Sequence, residues 1–305
     1  MNSIELEWVR CNLCGANEAE TIYASCRGAA EVQGVDVFRS SGDEQLADPL
    51  VRCRHCGLEY VNPRVDSKNA LAAYANSVDR VFVSQASARE RTFRRCLRIL
   101  QKHWRRPPGV IMDIGSANGS FLKVAKDAGW QVHGCEPNRW MTEWCRETYG
   151  IKLTAGTISD CKYDPGSFDI ITLWDVLEHT PDPKAMLQEC HRLLKRDGLL
   201  VINYPDIGSW VARAMGRKWV FLLTVHYYYF TRRTMRGMLA ANGWQVVQMA
   251  PHWQYLELDY VLARAIPYVG AVAKVAQAAV RASAIGRQMV PYWVGQTLVI
   301  ARKAK

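Results

Sequence analysis

Between about Val81 and Ala250 the chain switches repeatedly between short apolar runs and helix-spaced segments, and this alternation constrains the fold more than any other feature. Gly109-Val-Ile-Met-Asp113 predicts a short buried strand that runs into a glycine-bearing loop. Ser120–Gly129 predicts a helix with Phe121, Val124 and Ala125 on one face and Gly129 as its stop. The pattern continues with a strand at Trp130–Cys135, a helix at Arg139–Tyr149 and a strand at Phe168–Trp174. A helix around Ala185–Leu194 follows, with basic Lys195 and Arg196 near its end. Then come a strand at Leu199–Asn203, a helix at Thr231–Asn242 closed by Gly243, and a strand at Trp244–Met249. Strands alternating with helices imply a mainly parallel sheet covered on both faces.

The flanks differ in texture. Residues 1–75 are rich in turn formers and carry two CxxC pairs, whereas 251–305 is alanine-rich and mostly helical before a final strand-like run. The expected division is a zinc-binding module (1–75), a ligand-binding α/β domain (76–250), and a helical appendage with a closing strand (251–305). A chain of 305 residues is ample for one large or two modest cores. No internal repeat interrupts this plan.

Cys11-Asn-Leu-Cys14 and Cys53-Arg-His-Cys56 give the spacing C-x2-C-x38-C-x2-C. Each pair can present two thiolates from a tight turn, and two such turns make a tetrahedral S4 site suited to zinc. Gly15 and Gly57 directly follow the pairs, where the turn needs a residue tolerant of positive φ. With all four positions filled by Cys11, Cys14, Cys53 and Cys56, the metal is expected to be structural; Cys26 and His55 are reserves. The intervening loop is long for a zinc ribbon, so it is expected to hold short strands of its own and is available to cover an active site.

Met1–Glu7 lacks the basic-then-apolar pattern of a secretory signal, and no apolar run approaches the ~20 residues needed to cross a bilayer. The ten cysteines are therefore expected to sit in a reducing cytoplasm, where CxxC pairs more often hold metal than form disulfides. The formal charge of +10 favours an anionic neighbour but singles out none.

Asp113-Ile-Gly-Ser-Ala-Asn-Gly119 lies between a strand and a helix, where small residues and backbone N–H groups let a ligand approach closely. The next strand ends in Glu136, placed to accept both hydroxyls of a ribose. The spacing is D-x-G-x3-G rather than G-x-G-x2-G, which counts against a dinucleotide with its pyrophosphate on the helix.

Together with Phe168-Asp-Ile-Ile-Thr-Leu-Trp-Asp-Val-Leu-Glu-His179 and Leu193-Leu-Lys-Arg-Asp-Gly-Leu-Leu-Val-Ile-Asn-Tyr-Pro205, this loop and Glu136 resemble class I S-adenosylmethionine-dependent methyltransferases. Cys53-Arg-His-Cys-Gly-Leu-Glu-Tyr-Val-Asn-Pro-Arg64 is similar to the cysteine-bearing module that precedes this domain in certain bacterial enzymes, including sugar C-methyltransferases. The resemblance implies a Rossmann-like, seven-stranded, mostly parallel sheet, with Gln296–Arg302 as its antiparallel last strand. It implies that Asp113, Gly115, Ser116 and Gly119 shape the methionine end of a cofactor pocket. Glu136 would hold the ribose, flanked by Pro137 and Asn138. Thr157 and Ile158 would border the adenine, and Trp174 and Asp175 would lie beside the amino acid portion or the sulfonium. The family often has a third glycine where Ser116 or Ala117 stands here.

Methyl transfer to a hydroxyl or carbon acid needs a proton removed, and histidine or a carboxylate is the natural agent. His179, beside Glu178 just past the fourth strand, is one candidate; His226, in the aromatic run Thr224-Val-His-Tyr-Tyr-Tyr-Phe230, is the other. The plainer readings are a capping role for Glu178 and His179 and simple packing for His226. Glu178 and His179 could also ligate a divalent ion, but the sequence shows no third ligand. Tyr227, Tyr228 and Tyr229 could stack on a sugar or aryl ring, although three adjacent aromatics cannot all face one way.

Arg89–Arg106 predicts a basic amphipathic helix that docks through Phe93, Leu97, Leu100 and Trp104 and leaves its arginines to solvent or to an anionic ligand. Tyr255–Val290 reads as a helix pair that could cover the pocket, contact a second copy, or lie on the inner face of a membrane and admit a lipid-linked acceptor. The leading expectation is methylation of a small molecule, a sugar or other biosynthetic intermediate, at oxygen or carbon. An RNA methyltransferase and a catalytically silent binding protein are the alternatives.

Overall fold

The computed structural model of the chain describes residues 6–26, 40–42, 44–283 and 285–304. It begins with small antiparallel sheets. β1 (Leu6–Glu7) pairs with β5 (Arg64–Val65), and β2 (Ala19–Tyr23), β3 (Leu50–Cys53) and β4 (Glu59–Val61) form a meander. The expected strands within the long inter-cysteine loop are therefore present at its two ends, and residues 27–39 lie outside the described residues. Next come α1 (Ser67–Ala75), capped by the Asp66 carboxylate, α2 (Arg80–Ser84), capped by Asp79, and the basic helix α3 (Ala86–His103).

The alternating region follows as β6 (Val110–Ile114), α4 (Ser120–Asp127), β7 (Gln131–Glu136), α5 (Arg139–Tyr149), β8 (Thr154–Ala155), β9 (Phe168–Trp174), α6 (Pro183–Leu193) and β10 (Leu194–Pro205). After an insertion holding α7 (Trp210–Met215) and β11 (Tyr228–Tyr229), the chain continues into α8 (Arg232–Ala241) and β12 (Trp244–Pro251). The last part is β13 (Gln254–Glu257), α9 (Leu258–Val269), α10 (Ala271–Ala282), β14 (Met289–Tyr292) and β15 (Gln296–Lys303).

Seven strands form one sheet in the order β12-β15-β10-β9-β6-β7-β8, parallel throughout except for β15, which runs antiparallel to both neighbours. Period-two alternation divides the strands between two cores. Met112, Ile171, Leu200, Ile202 and Val299 face α6, α8 and the N-terminal module. Ile111, Ile170, Leu199, Val201 and Ile300 face α3, α4 and α5. The sheet is built outward in both directions from β6 and β9, which are adjacent and parallel. Their carboxyl ends form the switch point where open α/β sheets take ligands.

Three details depart from the sequence pattern. α6 ends at Leu193, so Lys195 and Arg196 sit in an irregular start of β10 rather than closing a helix. The segment read as a helix pair is flanked by a two-stranded ribbon, β13–β14. That ribbon docks on α3, where Thr92 Oγ1 accepts from the Tyr255 N–H (2.8 Å) and Gln85 Oε1 from the Glu257 N–H (3.1 Å). Finally, β11 leaves the α/β domain and adds a fourth strand to the N-terminal meander by pairing with β4. This strand ties the insertion carrying His226 to the cysteine module.

Candidate active site

The loop after β6 needs its glycines. Gly115 and Gly119 have φ of +69° and +74°. A Cβ on Gly115 would come within 2.7 Å of Val176, and one on Gly119 within 2.2 Å of the Cys145 sulfur. Ala117, where the family's third glycine is expected, is held at φ +45°. Its N–H donates to Glu136 Oε2 (2.8 Å), and the Asn138 N–H donates to Glu136 Oε1 (2.7 Å). Asn138 in turn caps α5 and donates through Nδ2 to the Tyr74 carbonyl (2.7 Å) and the Ser77 carbonyl (3.0 Å). The acid expected to lie open to a ribose is therefore only 1% exposed and already holds the loop closed. A cofactor would exchange hydrogen bonds here rather than fill a vacancy.

Burial pushes the Glu136 carboxyl up to about 7, against the pull of the Asn138 and Ala117 N–H groups. Burial likewise takes Asp113 up to about 8, although it accepts a 2.5 Å hydrogen bond from the Thr172 hydroxyl. Asp113 thus anchors the loop base to β9, and Ser116 Oγ donates to its carbonyl (2.8 Å). Thr157 and Ile158 follow β8 at the same edge; Thr157 and Asp160 form a reciprocal cap, and Ile158 is buried. Asn118 Nδ2 and Trp174 Nε1 are buried without a hydrogen-bond partner among the described residues, and orphaned donors of this kind at a switch point suit a polar ligand.

Beyond β9, Asp175 adopts φ +52° and makes a two-way pair with Asn203. Its N–H donates to Asn203 Oδ1 (3.0 Å), and Asn203 Nδ2 donates to its carboxylate (2.7 Å). Burial raises Asp175 to about 6, opposed by the Arg89 guanidinium. The Trp174 ring packs among Phe93, Phe121 and His252 on the α3 side. Tyr74, Arg89, Asn203 and Gln296 were not singled out in the sequence. Only Asn203 carried a signal, as an amide inside the apolar strand Leu-Leu-Val-Ile-Asn.

Glu178 and His179 form a short 3-10 turn, and the capping role belongs to Asp182, which starts α6. The structure brings His226 to them, its ring edge-on to His179 with centroids 4.6 Å apart. Each of the three offers a ligand atom within 4.8 Å of the others. His179 Nδ1 lies 2.9 Å from the Val225 carbonyl and His226 Nδ1 2.9 Å from the Phe221 carbonyl. A carbonyl only accepts, so both Nδ1 atoms carry hydrogen and both Nε2 lone pairs are free. Burial lowers His179 to about 4 and, with the neighbouring His179 charge, takes His226 well below the usual range, so both rings are neutral. Glu178 is 1% exposed, and among the described residues neither carboxylate oxygen has a hydrogen-bond partner. Burial, and next the Asp175 charge, drive its carboxyl well above the usual range.

The three tyrosines after His226 do not offer a stacking platform, because all are buried. Arg64 lies over the rings of Tyr227 and Tyr228, and the Tyr229 hydroxyl donates to the Leu223 carbonyl (2.7 Å). They anchor the insertion. The arginines of α3 mostly face solvent; Arg94 pairs with Glu90 and Arg91 covers Tyr255.

The cysteine pairs form two matched turns. Cys11 N–H donates to the Ala16 carbonyl (3.0 Å) and Cys53 N–H to that of Leu58 (2.9 Å), while Gly15 and Gly57 donate back to the Cys11 and Cys53 carbonyls (2.8 and 2.9 Å). Gly15 and Gly57 have φ of +77° and +79°. The turns bring Cys11, Cys14, Cys53 and Cys56 together, with Cys11–Cys56 and Cys14–Cys53 sulfurs 3.4 and 3.5 Å apart. Zn–S bonds of about 2.3 Å need tetrahedral sulfur edges of about 3.8 Å, so the set fits zinc with little adjustment. His55 instead faces Glu18, and the Cys26 sulfur faces Arg217, so neither reserve joins the cluster.

A seven-stranded sheet of this order, with a glycine loop at its switch point and an acid ending the next strand, defines a class I S-adenosylmethionine-dependent methyltransferase. Residues 87–249, just over half the chain, match the family model described as a methyltransferase domain, and the chain belongs to that family. The ubiquinone biosynthesis O-methyltransferase of Neisseria meningitidis is 28% identical over 105 residues, covering 30% of this chain and 42% of that protein. The protein of the same name from Vibrio cholerae is 32% identical over 95 residues, covering 29% of this chain and 38% of that one. The chain thus matches about two-fifths of the length of these curated relatives. A solved S-adenosylmethionine-dependent methyltransferase from Archaeoglobus fulgidus aligns with a TM-score of 0.50 at 18% identity, over 74% of this chain and all of that one. The 1,6-didemethyltoxoflavin-N1-methyltransferase of Burkholderia thailandensis, solved with S-adenosylhomocysteine bound, aligns at 0.50 and 15%, over 83% of this chain and 97% of that one. At these identities the likeness is one of fold.

Proposed function

We propose that the chain transfers a methyl group from S-adenosylmethionine to a small-molecule acceptor at a hydroxyl oxygen or acidic carbon, a sugar or another biosynthetic intermediate. The observation that carries this reading is the meeting of two constellations at one switch point. Val176 lies against Gly115 of the donor loop, and two residues later Glu178 begins the buried Glu178–His179–His226 cluster. Similarity to O-methyltransferases of ubiquinone biosynthesis favours oxygen.

When bound, S-adenosylmethionine supplies a methyl already attached to a good leaving group, so the protein's task is alignment, exclusion of water and handling of the acceptor proton. Asp113, Gly115, Ser116 and Gly119 shape the donor cradle, with Trp174 and Asp175 at its far side. Glu136, beside Pro137, takes the ribose hydroxyls in exchange for its present N–H partners, and Thr157 and Ile158 flank the base. His179 and His226, neutral and with Nε2 free, manage the acceptor proton, with Glu178 beside them. In this division residues 76–250 with β15 do the chemistry, 1–75 hold a structural zinc on Cys11, Cys14, Cys53 and Cys56, and the remainder of 251–304 is an appendage that docks on α3 through β13. A lipid-linked acceptor falls within the same reading, since α9 and α10 expose Val269, Val272 and Val275. Among the described residues no helix is long and apolar enough to cross a membrane.

Incubation with methyl-labelled S-adenosylmethionine and a fractionated cell extract is expected to label a small-molecule fraction. Replacing His226 with Ala is expected to lower that rate about 10²–10⁴-fold, with donor affinity nearly unchanged by calorimetry. Label found only in RNA, or wild-type rates in both the His179→Ala and His226→Ala variants, would overturn the acceptor-side assignment.

A further inference from the structure

We propose that Glu178, His179 and His226 form a binding site for one first-row divalent transition cation, which holds and acidifies the acceptor hydroxyl. The inference builds on the methyl-transfer reading for the ion's role but not for its binding. Three independent features point to a cation. The ligand atoms of the three side chains lie within 4.8 Å of one another, a span that small rotations close to the roughly 3 Å edges of a metal's coordination sphere. Both imidazoles donate Nδ1–H to a backbone carbonyl, the outer-shell contact that fixes a ligating histidine's tautomer and leaves Nε2 as the nitrogen with a lone pair. The Glu178 carboxylate, 1% exposed, has no hydrogen bond to either oxygen among the described residues. A buried carboxylate without a partner is costly, and a bound cation removes that cost.

The donor set selects the ion. Two imidazoles and one carboxylate suit zinc, iron(II), manganese or cobalt, whereas calcium and magnesium prefer all-oxygen shells. Three protein ligands also leave positions open, unlike the four thiols of the cysteine cluster. The acceptor class that fits is a molecule presenting a hydroxyl, alone or beside a second oxygen, to those positions. An ion bound there would lower the pKa of a hydroxyl coordinated to it, and that hydroxyl would give its proton to water. Its oxygen then bonds to the methyl carbon, and the electron pair of the broken carbon–sulfur bond stays on sulfur. Charge on the acceptor oxygen is neutralised as the O–C bond forms; with the ion bound, His179 and His226 manage the acceptor proton through the metal they ligate rather than as direct bases.

The test is a cobalt(II) titration of the full chain purified with its cysteine site loaded, followed by optical spectroscopy. One equivalent is expected to bind with weak d–d bands and no thiolate charge-transfer band, and the bands should vanish in Glu178→Gln and His226→Ala. Glu178→Gln preserves the side chain's shape and guards against a folding artefact. Absence of cobalt binding, or binding accompanied only by thiolate charge transfer, overturns the proposal, as does an unchanged spectrum in both variants. Calorimetry with S-adenosylmethionine on the same samples separates the two readings. Donor binding without cobalt binding removes the ion and leaves methyl transfer standing, whereas cobalt binding without donor binding does the reverse.

Discussion

Glu136 and Glu178 are equally buried, each 1% exposed, yet their surroundings differ completely. Glu136 accepts from two backbone N–H groups, one on its own turn and one on the glycine loop. No group among the described residues donates to the Glu178 carboxylate, and of the two imidazoles clustered with it His226 comes from almost fifty residues further along the chain. At Glu136 the donor side is therefore locally built and satisfied, and a ligand must enter there by exchange. The acceptor side is assembled from distant segments and left unsatisfied, so something with positive charge or a proton completes it. Its framework is also borrowed. The insertion that carries His226 is pinned by β11 to β4, and β4 follows directly on the second cysteine turn.

Cutting the cysteine site is the largest perturbation that tests this separation. With zinc on the cluster, as proposed, Cys53→Ser is expected to release it and to destabilise the protein by at least ~3 kcal/mol, a drop of about 6–12 °C in Tm. Because β4 and β11 share a sheet, turnover is expected to fall at least ~100-fold through displacement of His226. Donor affinity should stay within about threefold. Metal content, calorimetry and single-turnover rates on one preparation read all three. A collapse of donor affinity in step with turnover would show that the two halves are one unit, joined through the core that Cys11, Cys53 and Tyr60 share with Met112 and Leu200.

The same contrast explains what the sequence could and could not reveal. Strands and helices of the sheet were readable nearly to the residue, as at Phe168–Trp174 and Arg139–Tyr149, because their periodicity and their capping residues are local. The four-cysteine cluster was legible because its two C-x2-C spacings are the ones that tight turns impose. Glu178 and His179 were visible as a pair, but their third partner was not, since His226 is brought across by tertiary contacts, the Tyr227 N–H on the Glu178 carbonyl, the His179 ring on the Val225 carbonyl and the β4–β11 pairing. The closure of Glu136 by Ala117 was equally hidden. Nothing in a strand-ending acid tells whether its hydrogen bonds go to a ligand or to the loop in front of it. The misplaced end of α6 has a different cause. Lys195 reaches the Asp169 carboxylate (2.9 Å), and that tertiary contact holds in strand geometry a residue that local preference assigns to a helix end.

Exchange at Glu136 has a pH signature. Its carboxyl is raised from 4.5 to about 7, so any stability it lends the free protein is complete below the ordinary carboxylate range and is lost as pH rises through about 7. Ribose hydroxyls donate to the ionised form, so donor affinity should move the opposite way, falling about tenfold between pH 8 and pH 6. Glu136→Gln is expected to bind more weakly and to show a flat profile over the same range. A wild-type profile that is itself flat would mean that the carboxylate does not meet the ligand, and the comparison with Glu178 would lose one of its terms.

The smallest expected effect lies in the loop's own backbone. Ala117 is one of two non-glycine residues with positive φ among those described, the other being Asp175, and both sit at the switch point. An alanine in left-handed geometry costs about 1–2 kcal/mol, whereas glycine in its place loses about 0.4–1 kcal/mol through greater freedom of the unfolded chain. Ala117→Gly should therefore raise Tm slightly, by about 1–3 °C. The N–H that meets Glu136 is retained, so the ground-state contact survives and only the strain is removed. If strain in this loop helps to release Glu136 to a ligand, the relaxed variant will bind the donor more weakly although it is more stable. A variant that is both less stable and weaker in binding would instead place the alanine methyl among the contacts that hold the loop, and the donor side would owe its closure to packing rather than to the hydrogen bonds around Glu136.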